Sequence, residues 1–141
     1  MTAVVWTSVT GWVLIVLLIT TIVYPFLLRR GWLGPVQPFL RRMRLHFWLG
    51  YSIASIGLLH AWVPMSAGFA SRADALGLNL ATGAWLLVLL QVGLGWFLSQ
   101  PKLGPRRLVR RWHFWVMIGL AVLIIAHVGL NSGTLQMLLV R

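Results

Sequence analysis

The feature that most constrains this chain is the recurrence of long apolar segments without charged side chains. Residues 1–28 contain no Asp, Glu, Lys or Arg, and three further apolar segments follow. Lipid cannot hydrogen-bond to an exposed backbone, so a segment of about 20 apolar residues in a bilayer must form a helix. The sequence therefore predicts an all-α protein, an integral membrane four-helix up-and-down bundle. We expect one domain over residues 1–141, with helices at about 4–28, 45–65, 76–98 and 112–130.

The composition agrees with a membrane protein and excludes several kinds of chemistry. The chain is 60% hydrophobic and 9% charged, whereas soluble domains carry about 25% charged residues. The absence of cysteine excludes disulfides, thiolate ligands, iron–sulfur clusters and haem attached through C-x-x-C-H. Asp74 is the one acidic residue, which leaves no candidates for catalysis by paired carboxylates.

The positive charge is concentrated in two of the three loops. Of the twelve basic residues, five fall within 29–44 and five within 102–111. This distribution is typical of membrane orientation, so we interpret the net charge of +11 as a topology signal and expect no nucleic-acid partner. The positive-inside rule predicts cytoplasmic basic loops and both termini outside, in a bacterial inner membrane. The first segment lacks a basic n-region and a cleavage site, so we expect it to be retained.

The four histidines of the chain stand in two pairs with the same spacing. His46 and His60 lie on the second predicted helix, and His113 and His127 lie on the fourth, fourteen residues apart in each case. Fourteen residues return a helical side chain to within about 40° and advance it by about 21 Å. The two helices run in the same direction, so the first histidines share one depth and the second histidines share another. Simple helix packing or a wet crevice is the alternative, but the repeated spacing favours a shared ligand.

Two histidines at one level hold a metal ion only if another group supplies the remaining ligands. Imidazole alone is compatible with zinc, copper or iron, but structural zinc requires four nearby ligands. Two axial histidines around a metal that a macrocycle otherwise coordinates are typical of low-spin b-type haem. The sequence therefore predicts two haem b groups (iron protoporphyrin), one near each membrane face.

Other residues on the histidine faces are candidates for contact with the cofactor. Arg42 and Arg110 each lie about one helical turn before the first histidine of their helix, where they could bind haem propionates. The alternative is that they serve only membrane orientation. Gly50 and Gly57 would allow close approach of a macrocycle, although helix packing explains such glycines equally well. Further candidate glycines on the first and third helices are Gly11, Gly83, Gly93 and Gly95.

The paired H-x13-H helices make the chain resemble the four-helix di-haem core of the cytochrome b family, over roughly residues 4–130. In that family the second and fourth helices carry this motif, as His46/His60 and His113/His127 do here. Ferric-reductase-like transmembrane domains resemble the chain in having two helices with histidine ligands, but these are usually the third and fifth of six helices. The resemblance implies that His46 and His113 bind an inner haem iron and that His60 and His127 bind an outer one.

The resemblance implies transmembrane electron transfer, by a subunit that works with other redox subunits. Its donor and acceptor would be proteins or a quinone. One alternative is a haem-dependent oxidoreductase that acts directly on quinone, quinol or superoxide, with Gln91 or Ser99 hydrogen-bonding a quinone. A second alternative is a membrane anchor subunit without a cofactor. No G-x-G-x-x-G fingerprint is present in the sequence, so we expect no direct use of a nicotinamide cofactor.

Overall fold

The computed structural model describes residues 3–34, 39–66, 75–100, 102 and 104–131, and the elements within these ranges are helices. The prediction of an all-α bundle with four long helices is confirmed. The loop that contains Asp74 and the tail after residue 131 lie outside the described residues. In chain order the helices are α1 (Ala3–Arg29), α2 (Phe39–Arg42), α3 (Arg44–Ser66), α4 (Ala75–Ser99) and α5 (Arg106–Asn131).

Three of the long helices are both long enough and apolar enough to cross a membrane. These spans are Val5–Arg29 in α1, Leu76–Ser99 in α4 and Arg106–Leu130 in α5. The remaining long helix, α3, has 23 residues and a length of about 34 Å, so it also matches a bilayer in length. Among the described residues, α3 is the long helix that is not apolar enough by composition to count as a membrane span.

Two helix boundaries differ from those expected on hydropathy. The last helix, α5, begins at Arg106 rather than at residue 112, and the short α2 occupies part of the first basic loop. Hydropathy locates the segment inside the hydrocarbon core, whereas a helix continues into the headgroup region, where arginine side chains reach water. The first turns of α5 therefore carry arginines and still belong to the helix.

Consecutive long helices pack side by side and run in opposite directions. The principal packing partners are α1 with α3, α3 with α4, and α4 with α5. Thr21 near the end of α1 meets His46 near the start of α3, and Gly77 near the start of α4 meets His127 near the end of α5. This arrangement leaves α3 and α5 parallel to each other, as the sequence analysis expected.

The buried core is small and lies at the middle of the bundle. It consists of Ile53 from α3, Ala84 and Val88 from α4, and Leu120 from α5. Leu28 and Val116 are buried outside this cluster, but many other large apolar side chains are exposed, and Ile125 is exposed by 72%. Apolar surface on this scale is unfavourable in water and suits a lipid environment.

Candidate metal centres at two histidine pairs

The structure brings the four histidines together as two pairs between α3 and α5. The ring centroids of His46 and His113 lie 6.2 Å apart, with their planes at 65°. His60 and His127 lie fourteen residues further along the same two helices, near enough to interact electrostatically. All four side chains are half-buried. The two pairs join corresponding ends of the two parallel helices and so form two levels in the bundle.

The backbone of α1 orients His46 through a carbonyl group that a proline leaves free. Nδ1 of His46 lies 3.0 Å from the carbonyl oxygen of Thr21. In a regular helix that oxygen accepts the N–H of the residue four positions later. Here that residue is Pro25, which lies inside α1 and has no N–H. A carbonyl oxygen only accepts, so Nδ1 of His46 carries the proton and the lone pair is on Nε2.

A buried hydroxyl group of α1 orients His60. Thr10 is only 8% exposed, and its Oγ1 lies 2.9 Å from Nδ1 of His60. The same Oγ1 lies 2.8 Å from the carbonyl oxygen of Trp6 and 3.2 Å from that of Thr7. With its one proton donated to the helix backbone, Oγ1 accepts from Nδ1–H of His60. The lone pair of this imidazole is therefore also on Nε2.

The backbone of α4 contacts the histidines of α5, as residues of α1 contact the histidines of α3. Nδ1 of His127 lies 3.1 Å from the carbonyl oxygen of Gly77 and donates to it. His113 interacts with the backbone of Gln91, but its buried Nδ1 does not reach hydrogen-bonding geometry with any described residue. Gly77 and Gln91 are fourteen residues apart, the spacing of the two histidines that they face. The contacts from α4 to the two histidines of α5 therefore repeat at the same fourteen-residue spacing.

Two glycines allow α1 and α4 to approach the imidazoles closely. A Cβ atom at Gly11 of α1 would lie 3.3 Å from Cε1 of His60, and one at Gly95 of α4 would lie 3.5 Å from Cε1 of His113. The first distance is tighter than ordinary van der Waals contact. A larger residue at position 11 would therefore displace the His60 ring.

The glycines predicted on α3 differ from each other in their surroundings. A Cβ atom at Gly50 would meet no atom within 4 Å, so there is open space beside the His46 level. A Cβ atom at Gly57 would lie 3.5 Å from Cδ1 of Trp85, which is a contact between α3 and α4. Gly50 therefore leaves room for a bound group, and Gly57 serves helix packing in this structure.

Arg42 and Arg110, the two arginines predicted to bind propionates, lie at the basic end of the bundle. The guanidinium group of Arg42 donates to the carbonyl oxygen of Leu33, in the turn after α1. Its backbone carbonyl accepts a 2.7 Å hydrogen bond from the hydroxyl group of Tyr24. Arg110 is exposed on the first turns of α5. A role for either arginine in binding propionates stays a prediction.

Four buried polar atoms have no hydrogen-bond partner among the described residues. They are Nε1 of Trp6 and of Trp85, Oε1 of Gln91, and Nδ1 of His113. An unpaired polar group in the bilayer interior costs several kcal/mol, on the order of a lost hydrogen bond in hydrocarbon. Trp85 lies beside the second histidine level and Gln91 beside the first. Each level therefore holds polar atoms that a bound group could satisfy.

The sequence analysis did not identify the groups that orient the imidazoles. Thr10 had no distinguishing signal, because a hydroxyl in a membrane helix usually bonds to its own backbone. Pro25 did carry a signal, since a proline in an apolar helix frees the carbonyl four residues earlier. The indole N–H groups of Trp6 and Trp85, which have no partner among the described residues, depend on packing that a sequence does not contain.

The spacing of one pair, His46 with His113, is compatible with a metal ion held between two imidazoles. Imidazoles on opposite sides of one metal have ring centres about 6 Å apart, because each metal–nitrogen bond is about 2 Å and each ring centre lies about 1 Å beyond its nitrogen. The 6.2 Å between His46 and His113 matches this distance. In His46 and His60 the lone pair lies on Nε2. The described part of the chain contains no group of three or more His, Asp or Glu side chains, so each level provides two ligands.

An apolar layer separates the two histidine levels. Ile53 lies seven residues from each histidine of α3, and Leu120 lies seven residues from each histidine of α5. Both belong to the buried core, and Leu120 is only 2% exposed. Seven residues advance a helix by about 10 Å, so each level lies about 10 Å from this layer. The two sites are therefore separate, with dry packing between them.

Comparisons of this chain with protein-family models, curated proteins and solved structures find no match.

Proposed function

We propose that this protein is a di-haem b-type membrane cytochrome that transfers electrons from one face of a membrane to the other. The single observation that carries the proposal is the pairing of histidines across parallel helices. At one level the ring centroids of His46 and His113 lie 6.2 Å apart, so both imidazoles could hold one metal ion. In His46 and His60 a hydrogen bond at Nδ1 leaves the lone pair on Nε2, the atom that binds a metal.

In this proposal each residue has a defined part. His46 and His113 would hold the inner haem iron, and His60 and His127 would hold the outer one. When bound, haem supplies a one-electron Fe(III)/Fe(II) couple. The acceptors on α1 and α4 hold the imidazoles in the tautomer that binds metal, and hydrogen bonding at Nδ1 also raises ligand basicity. At the inner level the open space beside Gly50 favours a large bound group. At the outer level the indole N–H of Trp85, unpaired among the described residues, favours a group with hydrogen-bond acceptors.

The proposed location is a bacterial inner membrane, with the basic loops cytoplasmic and both termini outside. Ten of the twelve basic residues lie in the two loops at one end of the bundle, which supports this orientation. The sequence carries no nucleotide-binding fingerprint, so electrons would arrive from a donor protein or a quinone and leave to an acceptor. We therefore propose that the chain works as a subunit of a larger redox complex.

A haem assay of the purified full chain tests the proposal. We expect a reduced-minus-oxidised spectrum of the b type, with two haems per chain by pyridine haemochrome. The His60→Ala variant should retain one haem, at the His46–His113 level, and the His46→Ala/His60→Ala double variant should retain none. Purified protein without haem would refute the cytochrome and would favour a membrane anchor subunit without a cofactor.

A second candidate is a haem-dependent oxidoreductase that acts on a quinol or on superoxide. The observation that favours it is the buried Oε1 of Gln91, an acceptor without a partner in the described residues, beside the His113 level. A quinol hydroxyl group could donate to this oxygen. Ser99 is a weaker candidate, because its hydroxyl donates to the carbonyl oxygen of Trp96 at 2.6 Å. Turnover of a soluble quinol by the purified chain, abolished by Gln91→Leu with both haems retained, would favour this candidate.

A further inference from the structure

A groove on the outer face of α5 lies apart from the histidine sites. It has a volume of about 280 Å³ and is lined by Leu108, Arg111, Trp112 and Trp115. These residues follow the i, i+3, i+4, i+7 spacing of one helix face. His113 lies on a different face of α5, directed to α3. The groove therefore opens to the surroundings of the bundle and is independent of the proposed function.

The lining of the groove combines a cation with exposed aromatic and aliphatic side chains. Leu108 is 52% exposed, Trp112 is 58% exposed and Trp115 is 55% exposed, and Arg111 is exposed as well. Tryptophan at the end of a membrane helix locates this region at the headgroup level. The groove thus presents a guanidinium group and two indoles at the boundary between lipid and water.

The chain offers the guanidinium group of Arg111 almost no acidic side chains to pair with. The sequence has twelve basic residues and one acidic residue, so carboxylates of this protein can neutralise at most one of them. Guanidinium groups bind phosphate with charge-assisted hydrogen bonds. A phosphate group is therefore the ligand chemistry that best complements this end of α5.

The apolar surface next to the groove favours a lipid over free phosphate as the ligand. The exposed face of α5 continues from Trp115 through Ile118, Val122 and Ile125, the last two exposed by 59% and 72%. These residues continue the same face at helical spacing toward the middle of the membrane. They provide an apolar path for an acyl chain, which an inorganic anion does not need. The groove volume is close to the lower end for small organic ligands, about 300 Å³, so it suits a headgroup.

We propose that the Leu108–Trp115 face of α5 is a binding site for one anionic phospholipid, with Arg111 on the phosphate, the two indoles around the headgroup and the aliphatic stripe along an acyl chain. A basic residue near an anionic membrane surface contributes a modest attraction, and its loss corresponds to about a fivefold change in affinity. The site would fix annular lipid at the basic end of the bundle.

Native mass spectrometry of the full chain in detergent, titrated with phosphatidylglycerol or phosphatidylcholine, tests this site. We expect one retained phosphatidylglycerol and weaker retention of phosphatidylcholine. The Arg111→Gln variant should bind phosphatidylglycerol about fivefold more weakly, and Arg111→Lys should keep most of the affinity. Arg41→Gln is the matched control, because Arg41 is also exposed at the basic end but lies in α2. Circular dichroism verifies that each variant is folded.

Three results would overturn the proposal. Equal weakening by Arg111→Gln and Arg41→Gln would mean that the general positive field attracts the lipid. Equal retention of the two lipids would show that the groove does not recognise a negative headgroup. Displacement of the bound lipid by millimolar inorganic phosphate would identify a site for the free anion.

Discussion

Replacing Pro25 with alanine restores a backbone N–H that competes with His46 for one carbonyl oxygen. In the structure the Thr21 oxygen lies 3.0 Å from Nδ1 of His46, and the proline inside α1 supplies no competing donor. Loss of a hydrogen bond to a metal-binding histidine typically costs about 10- to 100-fold in affinity. The carbonyl has two lone pairs and can be shared, so we expect the lower value, about tenfold or ~1.4 kcal/mol, at the inner haem site.

Pro25→Ala should stabilise the α1 helix, although it weakens haem binding. Proline in a helix interior costs about 3 kcal/mol relative to alanine. The Pro25→Ala variant should therefore unfold at an equal or higher temperature than the parent chain while it binds the inner haem more weakly. Opposite signs in the two measurements distinguish an effect on His46 from a general loss of structure.

Haem titration of the haem-free chain, followed by Soret absorbance, measures this effect. The His60→Ala background removes the outer site, so the titration reports the inner site alone. Thr21→Val is the matched control, because the Thr21 hydroxyl bonds to the carbonyl oxygen of Leu17 within α1 and its loss leaves the Thr21 carbonyl in place. Unchanged affinity in Pro25→Ala together with lower affinity in Thr21→Val would refute the role of the freed carbonyl.

Three other substitutions test the outer site and the core. Thr10→Val removes the acceptor for Nδ1 of His60, so haem titration should show about tenfold weaker binding at the outer site, with recovery in Thr10→Ser; equal affinities would exclude this hydrogen bond as an orienting contact. Gly11→Val introduces a branched side chain where a Cβ would already lie 3.3 Å from the His60 ring, and haemochrome assay should find one haem per chain instead of two. Leu120→Ala removes a side chain that is 2% exposed and should lower the free energy of unfolding by about 2–5 kcal/mol, whereas Val122→Ala on the lipid-facing surface should leave the melting temperature nearly unchanged.

The helices could be predicted from the sequence because hydropathy and length act locally. A segment such as 4–28, without a charged side chain, has one stable backbone conformation in lipid. The ends of the helices were less predictable. At Arg106 the helix begins in the headgroup region, where a charged residue is compatible with either a helix or a loop, so hydropathy alone does not locate the first turn of α5.

The meeting of His46 with His113 could also be predicted, because periodicity fixes both the face and the depth of a side chain on a membrane helix. The acceptors for the imidazole N–H groups could not, because they depend on the rotation of α1 and α4 about their own axes. Thr10 is one of several hydroxyl residues in α1, and only packing decides that its oxygen faces His60. Pro25 is the exception, since the carbonyl that it frees can be identified by counting back four residues.

The apolar layer between the histidine levels limits what can cross the bundle. Ile53 and Leu120 are each seven residues from the histidines of their own helix, and Ala84 and Val88 complete the cluster. A proton or a hydrated ion needs hydrogen-bonding groups or water along its path, and this cluster of aliphatic side chains offers neither. An electron needs no such path and is favoured by a dry, rigid medium between two centres. Under the proposed function the bundle would therefore conduct electrons between its two levels without protons, and any proton released by a donor would leave at the face where the donor binds.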